Sequence, residues 1–274
     1  MTVRAVVVVT VLLAGCSSAP TPTTGVVLPP VSGPFDYQLG GAYDLPGMAV
    51  VARDATADPP AGAYGICYVN GFQTQPGQGA DWLEHRSAAV LRDVAGNAVS
   101  DPDWPDEYVL DPSTPDGREQ ILDAVGPVIT DCARKGFDAV EIDNLDTFTR
   151  FTDRRTGLVD RAGALDLATA YVELAHDHGL AIGQKNAAES TELLRGLGFD
   201  FAVAEECAAF DECDSYKAGY GSHVLQIEYS DNMPRPFPTV CAAPDRAPLA
   251  ILRDRELLPA GAEGHVYEQC PSTG

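Results

Sequence analysis

The chain has 274 residues and a formal net charge of −22, from 40 acidic and 18 basic side chains. That balance argues against nucleic acid and anionic surfaces as partners, because phosphates attract Lys and Arg rather than Asp and Glu. It is compatible with a cationic ligand, such as a polymer carrying free amines.

Arg4 gives the N-terminus a positive start, and residues 5–14 form an almost uninterrupted apolar run. Ten residues are too few to span a bilayer. The run ends in Leu13-Ala14-Gly15-Cys16, a leucine and two small residues before a cysteine, which resembles a bacterial lipobox. The expectation is a lipoprotein signal peptide over residues 1–15. Lipidated Cys16 would then hold the protein at the outer face of the bacterial cell membrane. Residues 16–34 are rich in Ser, Pro, Thr and Gly; they cannot bury a core and are expected to be a flexible tether. Residues 35–274 are within the range of one α/β barrel domain.

Within that domain, apolar runs predict strands at 37–39, 48–52, 63–69, 107–110, 139–142, 181–184, 201–204 and 224–228. A ninth run, 249–252, is a further strand or a piece that closes a barrel. Helices are predicted at 81–93, 115–135, 162–178, 190–196 and 211–219. The second of these carries Ile121, Leu122, Val125, Val128 and Ile129 at helical spacing, with Gly136 after it as a C-cap. Polar residues follow most strands: Asp54, Asn70, Asp111, Asp143 with Asn144, Lys185 with Asn186, Glu205 with Glu206, and Glu228 with Tyr229. In a barrel those ends converge on one face, whereas an open sheet uses only the ends near its switch point. The pattern therefore predicts a single-domain (β/α)8 TIM-like barrel.

Without Cys16, six cysteines remain: Cys67, Cys132, Cys207, Cys213, Cys241 and Cys270. An even number in an exported chain argues for three disulfides, with 15 pairings open. A bridge between Cys207 and Cys213 closes a small loop, one between Cys241 and Cys270 staples the C-terminal segment, and Cys67 with Cys132 is left. No CxxC pair or paired-histidine spacing supports zinc, so neither metal nor cofactor is expected.

The chain has no GxSxG elbow, GxGxxG turn or P-loop, which leaves acyl transfer, dinucleotide redox and phosphoryl transfer without support. What remains is a carboxylate-rich set with amides, tyrosines and one lysine. Glycoside hydrolysis uses that set: one carboxylic acid protonates the leaving oxygen, and a second carboxylate attacks or activates water. Asp143, directly after a buried strand, is the first candidate and Glu205 the second. Their structural alternatives are an N-cap or ion pair for Asp143 and a rim charge for Glu205. Glu141 shares the face of Asp143 but lies deeper, as a supporting partner; Asp146 and Glu206 are alternates. Lys185 and Asn186 are candidates to hold hydroxyls or tune an acid, with a structural ion pair the alternative for Lys185; Asp54 and Glu228 are candidates for an amino group or are solvated strand-end charges, and Tyr68 and Tyr229 stack on sugar rings or pack in the core or rim. Trp82 and Trp104 are read as structural.

Several segments together resemble glycoside hydrolase family 114, the endo-α-1,4-polygalactosaminidases and their relatives. They are YQL at 37–39, ICY at 66–68, GN at 96–97, EYVLD at 107–111, GFDAVEIDN at 136–144, GQKN at 183–186, EECAAFDEC at 205–213 and IEY at 227–229. The resemblance implies a TIM-like barrel, no metal, and endo-cleavage of an α-1,4-linked galactosamine polymer. It implies that Asp143 and Glu205 match the family's catalytic acids, with Asp143 as nucleophile, Glu205 as acid/base and retention of configuration. Gln38, Asp54, Tyr68, Asn144, Asp146, Lys185, Asn186, Glu206, Glu228 and Tyr229 are the expected substrate contacts. The chain departs from the family at Phe35 and Tyr37, where a Trp is frequent, at Ala204, where Asn is, and at Ala187, where Asp is. A monomer is expected. A non-catalytic carbohydrate-binding lipoprotein on the same barrel and a glycosidase of different sugar specificity are the alternatives.

Overall fold

The computed structural model describes residues 25–271; the expected signal peptide, Cys16 and the first part of the tether lie outside the described residues. Loops alone join β1 (Phe35–Gln38), β2 (Val50–Asp54) and β3 (Tyr64–Asn70). A long excursion carrying α1 (Gly79–His85) and α2 (Pro115–Lys135) leads to β4 (Ala139–Asp143). Next come α3 (Thr147–Arg150), a small hairpin of β5 (Thr152–Asp153) and β6 (Gly157–Leu158), and α4 (Arg161–Asp177). Then β7 (Ala181–Lys185), α5 (Thr191–Leu197), β8 (Phe201–Glu205), α6 (Cys207–Phe210) and α7 (Cys213–Tyr220) follow. The chain ends with β9 (Val224–Tyr229), α8 (Phe237–Cys241), β10 (Leu249–Arg253) and β11 (Tyr267–Gln269).

The main sheet runs β1-β2-β3-β4-β7-β8-β9-β10-β11. Its pairs are parallel except the last, β10 with β11. The result is a nearly closed α/β barrel. Helices cover the outside and side chains fill the inside, so the strands are buried on both faces and read as continuous apolar runs. Alternate residues form two cores. Ile66, Ala139, Ala181, Phe201, Val203, Leu225, Ile227, Leu249 and Ile251 fill the interior. Cys67, Val140, Ile142, Ile182, Ala202 and Ala250 pack outward against helices. Helix α2 shows how local sequence sets an element. Thr114 caps it by accepting the Gly117 N–H, Pro115 occupies its first turn, and Gly136 ends it at φ 97°.

Two predicted elements are corrected. The 107–110 run is no strand of the main sheet: Val109 bridges Gln73 and Leu110 bridges Val90, within the excursion before α2. Its apolar residues are buried there with Phe72 and Leu91, so the hydrophobic signal was real and the partner was local. The eighth parallel strand is β10 instead. The helix predicted at 81–93 ends at His85, followed by a short 3-10 turn, Ser87–Ala89. The three disulfides are Cys67–Cys132, which ties β3 to α2, Cys207–Cys213, and Cys241–Cys270, which ties α8 to the C-terminal segment.

Among the described residues no ladder joins β1 to β10; side chains clasp that seam. Arg253 is fully buried. It donates to Asp36 Oδ1 at 2.6 Å, to the Tyr37 carbonyl, and to the carbonyls of Val266 and Leu258 at 3.0 Å each. Gln269 accepts from Phe35 N–H and donates to the Gly33 carbonyl. Residues 25–34 lie across the N-terminal end of the barrel. Tyr64 O–H donates to the Val27 carbonyl, His223 reaches that of Pro29, and Val26 and Leu28 pack on the inner core.

Removing one partner of a buried ion pair strands the other charge and costs about 3–5 kcal/mol. Arg253→Met is therefore expected to lower the unfolding free energy extrapolated from urea titration by an amount of that order, with a lower midpoint. An unchanged midpoint would show that the seam is held elsewhere.

Candidate active site

Strand parity and strand order together build the site. Asp143, Lys185 and Glu205 are the last residues of β4, β7 and β8, which are neighbours in the sheet. The lysine strand thus lies between the two acid strands. Side chains alternate along a strand, so the inward faces that carry Ala139, Ala181 and Val203 also present these three residues at the barrel mouth.

Lys185 Nζ is 2.9 Å from Asp143 Oδ2 and 3.2 Å from Glu205 Oε2. Tyr68 O–H donates to the same Asp143 oxygen at 2.7 Å, and the Asn144 N–H to Oδ1 at 2.8 Å. Glu205 Oε2 accepts from Asn186 Nδ2 at 2.9 Å, and its Oε1 accepts from Tyr229 O–H. Asn186 Oδ1 accepts the Glu205 N–H in return. Burial alone would depress the Lys185 ammonium, but the carboxylates of Asp143, Glu205 and Glu141 hold its pKa well above the ordinary lysine value. It stays a fixed positive charge. Tyr68 and Tyr229 act through their hydroxyls, with burial first and the adjacent carboxylates next pushing both phenols up. Their rings also line the cleft, Tyr68 lying 4.9 Å from Lys185 Nζ.

Each of these strands turns sharply at its end. Asn144, Asn186, Ala187 and Glu206 have φ of 62°, 52°, 62° and 57°. Asparagine tolerates that left-handed region through local hydrogen bonds. Ala187 and Glu206 bring no such relief, and backbone strain of this kind gathers where a site demands a fixed geometry.

One layer below, Glu141 is fully buried and neither oxygen has a hydrogen-bond partner, nor does the Tyr37 hydroxyl. Burial outweighs the attraction of Lys185 and pushes Glu141 up to about 8. It lies one layer below Asp143 on the same face of β4.

Above the pair opens a cleft of about 940 Å³. Ten carboxylates line it, Asp54, Asp103, Glu107, Asp143, Asp146, Glu189, Glu205, Glu206, Glu212 and Glu256, against three cations, Arg150, Lys185 and Arg255. Glu206 is committed to Arg255 at 2.8 and 2.9 Å and to Asn232. Asp146 pairs with Arg150 at 3.5 Å, yet burial still pushes it up to about 6. Asp54 stands at the rim with one oxygen taken by Thr56.

Two expected contacts are not brought to the cleft. Glu228 faces the outer side of β9, one residue out of phase with Tyr229; it is fully buried and accepts from Ala208 N–H and Gln226 Nε2. Gln38 faces outward too, bonded to Asp36 and Arg53 behind the seam. Trp104 is also corrected: it is 59% exposed in the cleft, whereas Trp82 is buried. Sequence reasoning missed Glu107. It lines the cleft, accepts from Asn70 Nδ2 at 2.9 Å, and Asn70 Oδ1 accepts from Asn144 at 3.0 Å. Burial, reinforced by Asp143 and opposed by Asn70, pushes Glu107 up to about 7. Reading 107–110 as a strand hid it; the WPDE turn before that run was the available signal.

Among the described residues, one cluster has metal-ligand types, Cys207, Cys213 and Glu228. Its two sulfurs are joined to each other and offer no thiolate. The set at the mouth can instead perform paired-carboxylate acid–base or nucleophilic chemistry on a polar substrate.

The model of glycoside hydrolase family GH114 matches residues 16–273. The fold is similar to the crystal structure of Aspergillus fumigatus Ega3 in complex with galactosamine, with a TM-score of 0.67 and 19% identity over 91% of this chain and 99% of that one. It is also similar to the glycoside hydrolase domain of PelA from Pseudomonas aeruginosa, with a TM-score of 0.57 and 15% identity over 84% and 98%. No curated protein matches the sequence.

Glu141 supplies a test of the site's electrostatics. Unfolded glutamate ionises near about 4.3 and folded Glu141 near 8. Between those values the folded state holds the extra proton, so stability falls as pH rises, by roughly 1.4 kcal/mol per unit. Glu141→Gln removes that slope. Melting temperatures from pH 5 to 8 should decline more steeply for the wild type than for the variant; parallel profiles would show that Glu141 is already ionised.

Proposed function

This chain belongs to glycoside hydrolase family GH114, and from that premise we propose that it is an exported, lipid-anchored endo-glycosidase acting on α-1,4-linked galactosamine-containing polysaccharide. Asp143 and Glu205 are its working carboxylates. The observation that carries the reading is the pair itself, held around one buried lysine at the barrel mouth.

With Lys185 at 2.9 and 3.2 Å, the two facing oxygens lie within about 6 Å of each other. Retention, in which the two carboxyl groups stand about 5–5.5 Å apart, is compatible with that contact and is the route we propose. Asp143 accepts from Lys185, Tyr68 and the Asn144 N–H. Its carboxylate attacks the anomeric carbon as the glycosidic C–O bond breaks, and Glu205 gives its proton to the leaving oxygen. In the resulting ester Asp143 has lost its charge, and Lys185 faces Glu205 alone. That favours ionised Glu205, the form that takes a proton from water as the water attacks the anomeric carbon and releases Asp143.

Substrate class is supported by the galactosamine bound in the Aspergillus neighbour and by the acidic cleft, which suits a cationic polymer. Export and anchoring rest on residues 1–16, and three disulfides suit an oxidising compartment.

Asp143→Asn and Glu205→Gln are each expected to lower kcat on galactosamine oligomers by about 10²–10⁴-fold, with circular dichroism unchanged. Proton NMR of the first product should show the α-anomer. Undiminished turnover by either variant would remove that residue from the mechanism, and an initial β-anomer would replace retention with inversion.

A further inference from the structure

We propose that the turn spanning residues 101–107 is a subsite for one sugar ring carrying a free ammonium group, with Trp104 as the stacking face and Glu107 as the partner of the ammonium. This rests on the reading of the cleft as an amino-sugar glycosidase site, and it assigns selection between free and acetylated amines to particular residues.

The turn is built rigidly. Asp101, with no exposed surface, anchors it from below by accepting from Gln73 Nε2 at 2.6 Å, from Arg150, and from the Asp103 N–H at 2.9 Å. Its backbone closes on itself: Glu107 N–H donates to the Trp104 carbonyl at 2.9 Å and Asp101 N–H to that of Glu107 at 3.0 Å. Pro105 restricts the segment further. On this fixed frame an indole stands 59% exposed beside the catalytic acids. A large apolar ring exposed to water at a cleft costs free energy until something flat covers it, and the apolar face of a sugar ring fits that need.

Glu107 supplies the charge. One oxygen is fixed by Asn70, and Oε1 accepts no hydrogen bond from the described residues. The charged groups that face it are Asp143, Asp101 and Lys185. Lys185 is already shared by two acids, so Glu107 lacks a cation of its own. A carboxyl near about 7 when empty is drawn into its ionised form by an ammonium, whereas an acetamido group brings no charge to compensate.

The test uses a galactosamine trisaccharide and its fully N-acetylated counterpart, titrated by calorimetry into Asp143→Asn protein so that binding is read without turnover. Adding Glu107→Gln is expected to weaken the free-amine sugar by about ten- to a hundredfold, as for a lost charged hydrogen bond, and to change the acetylated one by less than about threefold. The two tryptophans of the chain divide into buried Trp82 and exposed Trp104. Binding should therefore shift the emission to the blue, and Trp104→Phe should abolish the shift while keeping most affinity. Equal loss for both sugars, or calorimetric binding without an emission change, overturns the subsite. Free-amine binding with these dependences in a wild type that cleaves no galactosamine polymer would sustain the subsite and refute the proposed activity.

Discussion

The ammonium of Lys185 is the charge around which the barrel mouth is organised. A buried cation is costly unless paired, and this one is paired twice, by Asp143 and Glu205. The converse also holds. Two carboxylates so close repel unless a cation lies between them. Neither acids nor lysine would be stable there alone, and the three can meet only because β7 lies between β4 and β8 in the sheet. Glu141 completes the balance. A third anion below would overload a single lysine, and burial of Glu141 raises its pKa and disfavours that charge.

That arrangement depends on the barrel holding its curvature without a continuous ladder. The polar clasp of Arg253, Asp36 and Gln269 replaces the missing pairing between β1 and β10. The clasp also positions Tyr37, whose carbonyl accepts from Arg253 and whose ring lies 6.0 Å from Lys185 Nζ. Seam and site are therefore linked through one residue of β1. A buried ion pair is weak evidence of net stability, and its better attested use is to set register. Fixing how the first strand meets the last is a task of that kind.

Much of this was legible in sequence because period-2 alternation and strand ends are local signals. Asp143, Lys185 and Glu205 each follow an apolar run and were read in place. Glu228 shows the limit: it adjoins Tyr229 and looked equally terminal, but parity sends the two to opposite faces. A single residue of phase cannot be read from a strand buried on both sides, because both faces are apolar. The 107–110 run fails differently. Its composition suits a strand, yet its partners are Gln73 and Val90 in the same excursion, and pairing is a tertiary fact. Cysteine arithmetic succeeded because one short loop, Cys207–Cys213, and one C-terminal staple, Cys241–Cys270, left Cys67–Cys132 by elimination.

The cleft carries the argument from fold to substrate. Of its cations, Lys185 serves Asp143 and Glu205, Arg255 serves Glu206 and Asp231, and Arg150 serves Asp101 and Asp146. Asp54, Asp103, Glu107, Glu189, Glu212 and Glu256 line the same space with no ion pair among the described residues. The empty cleft is thus a focused negative field in a chain of charge −22. Mutual repulsion among such groups is relieved by any ligand that brings its own cations. A neutral glycan of the same shape would leave the repulsion in place and desolvate the acids as well. Any preference of such a groove for a cationic ligand weakens as salt screens it.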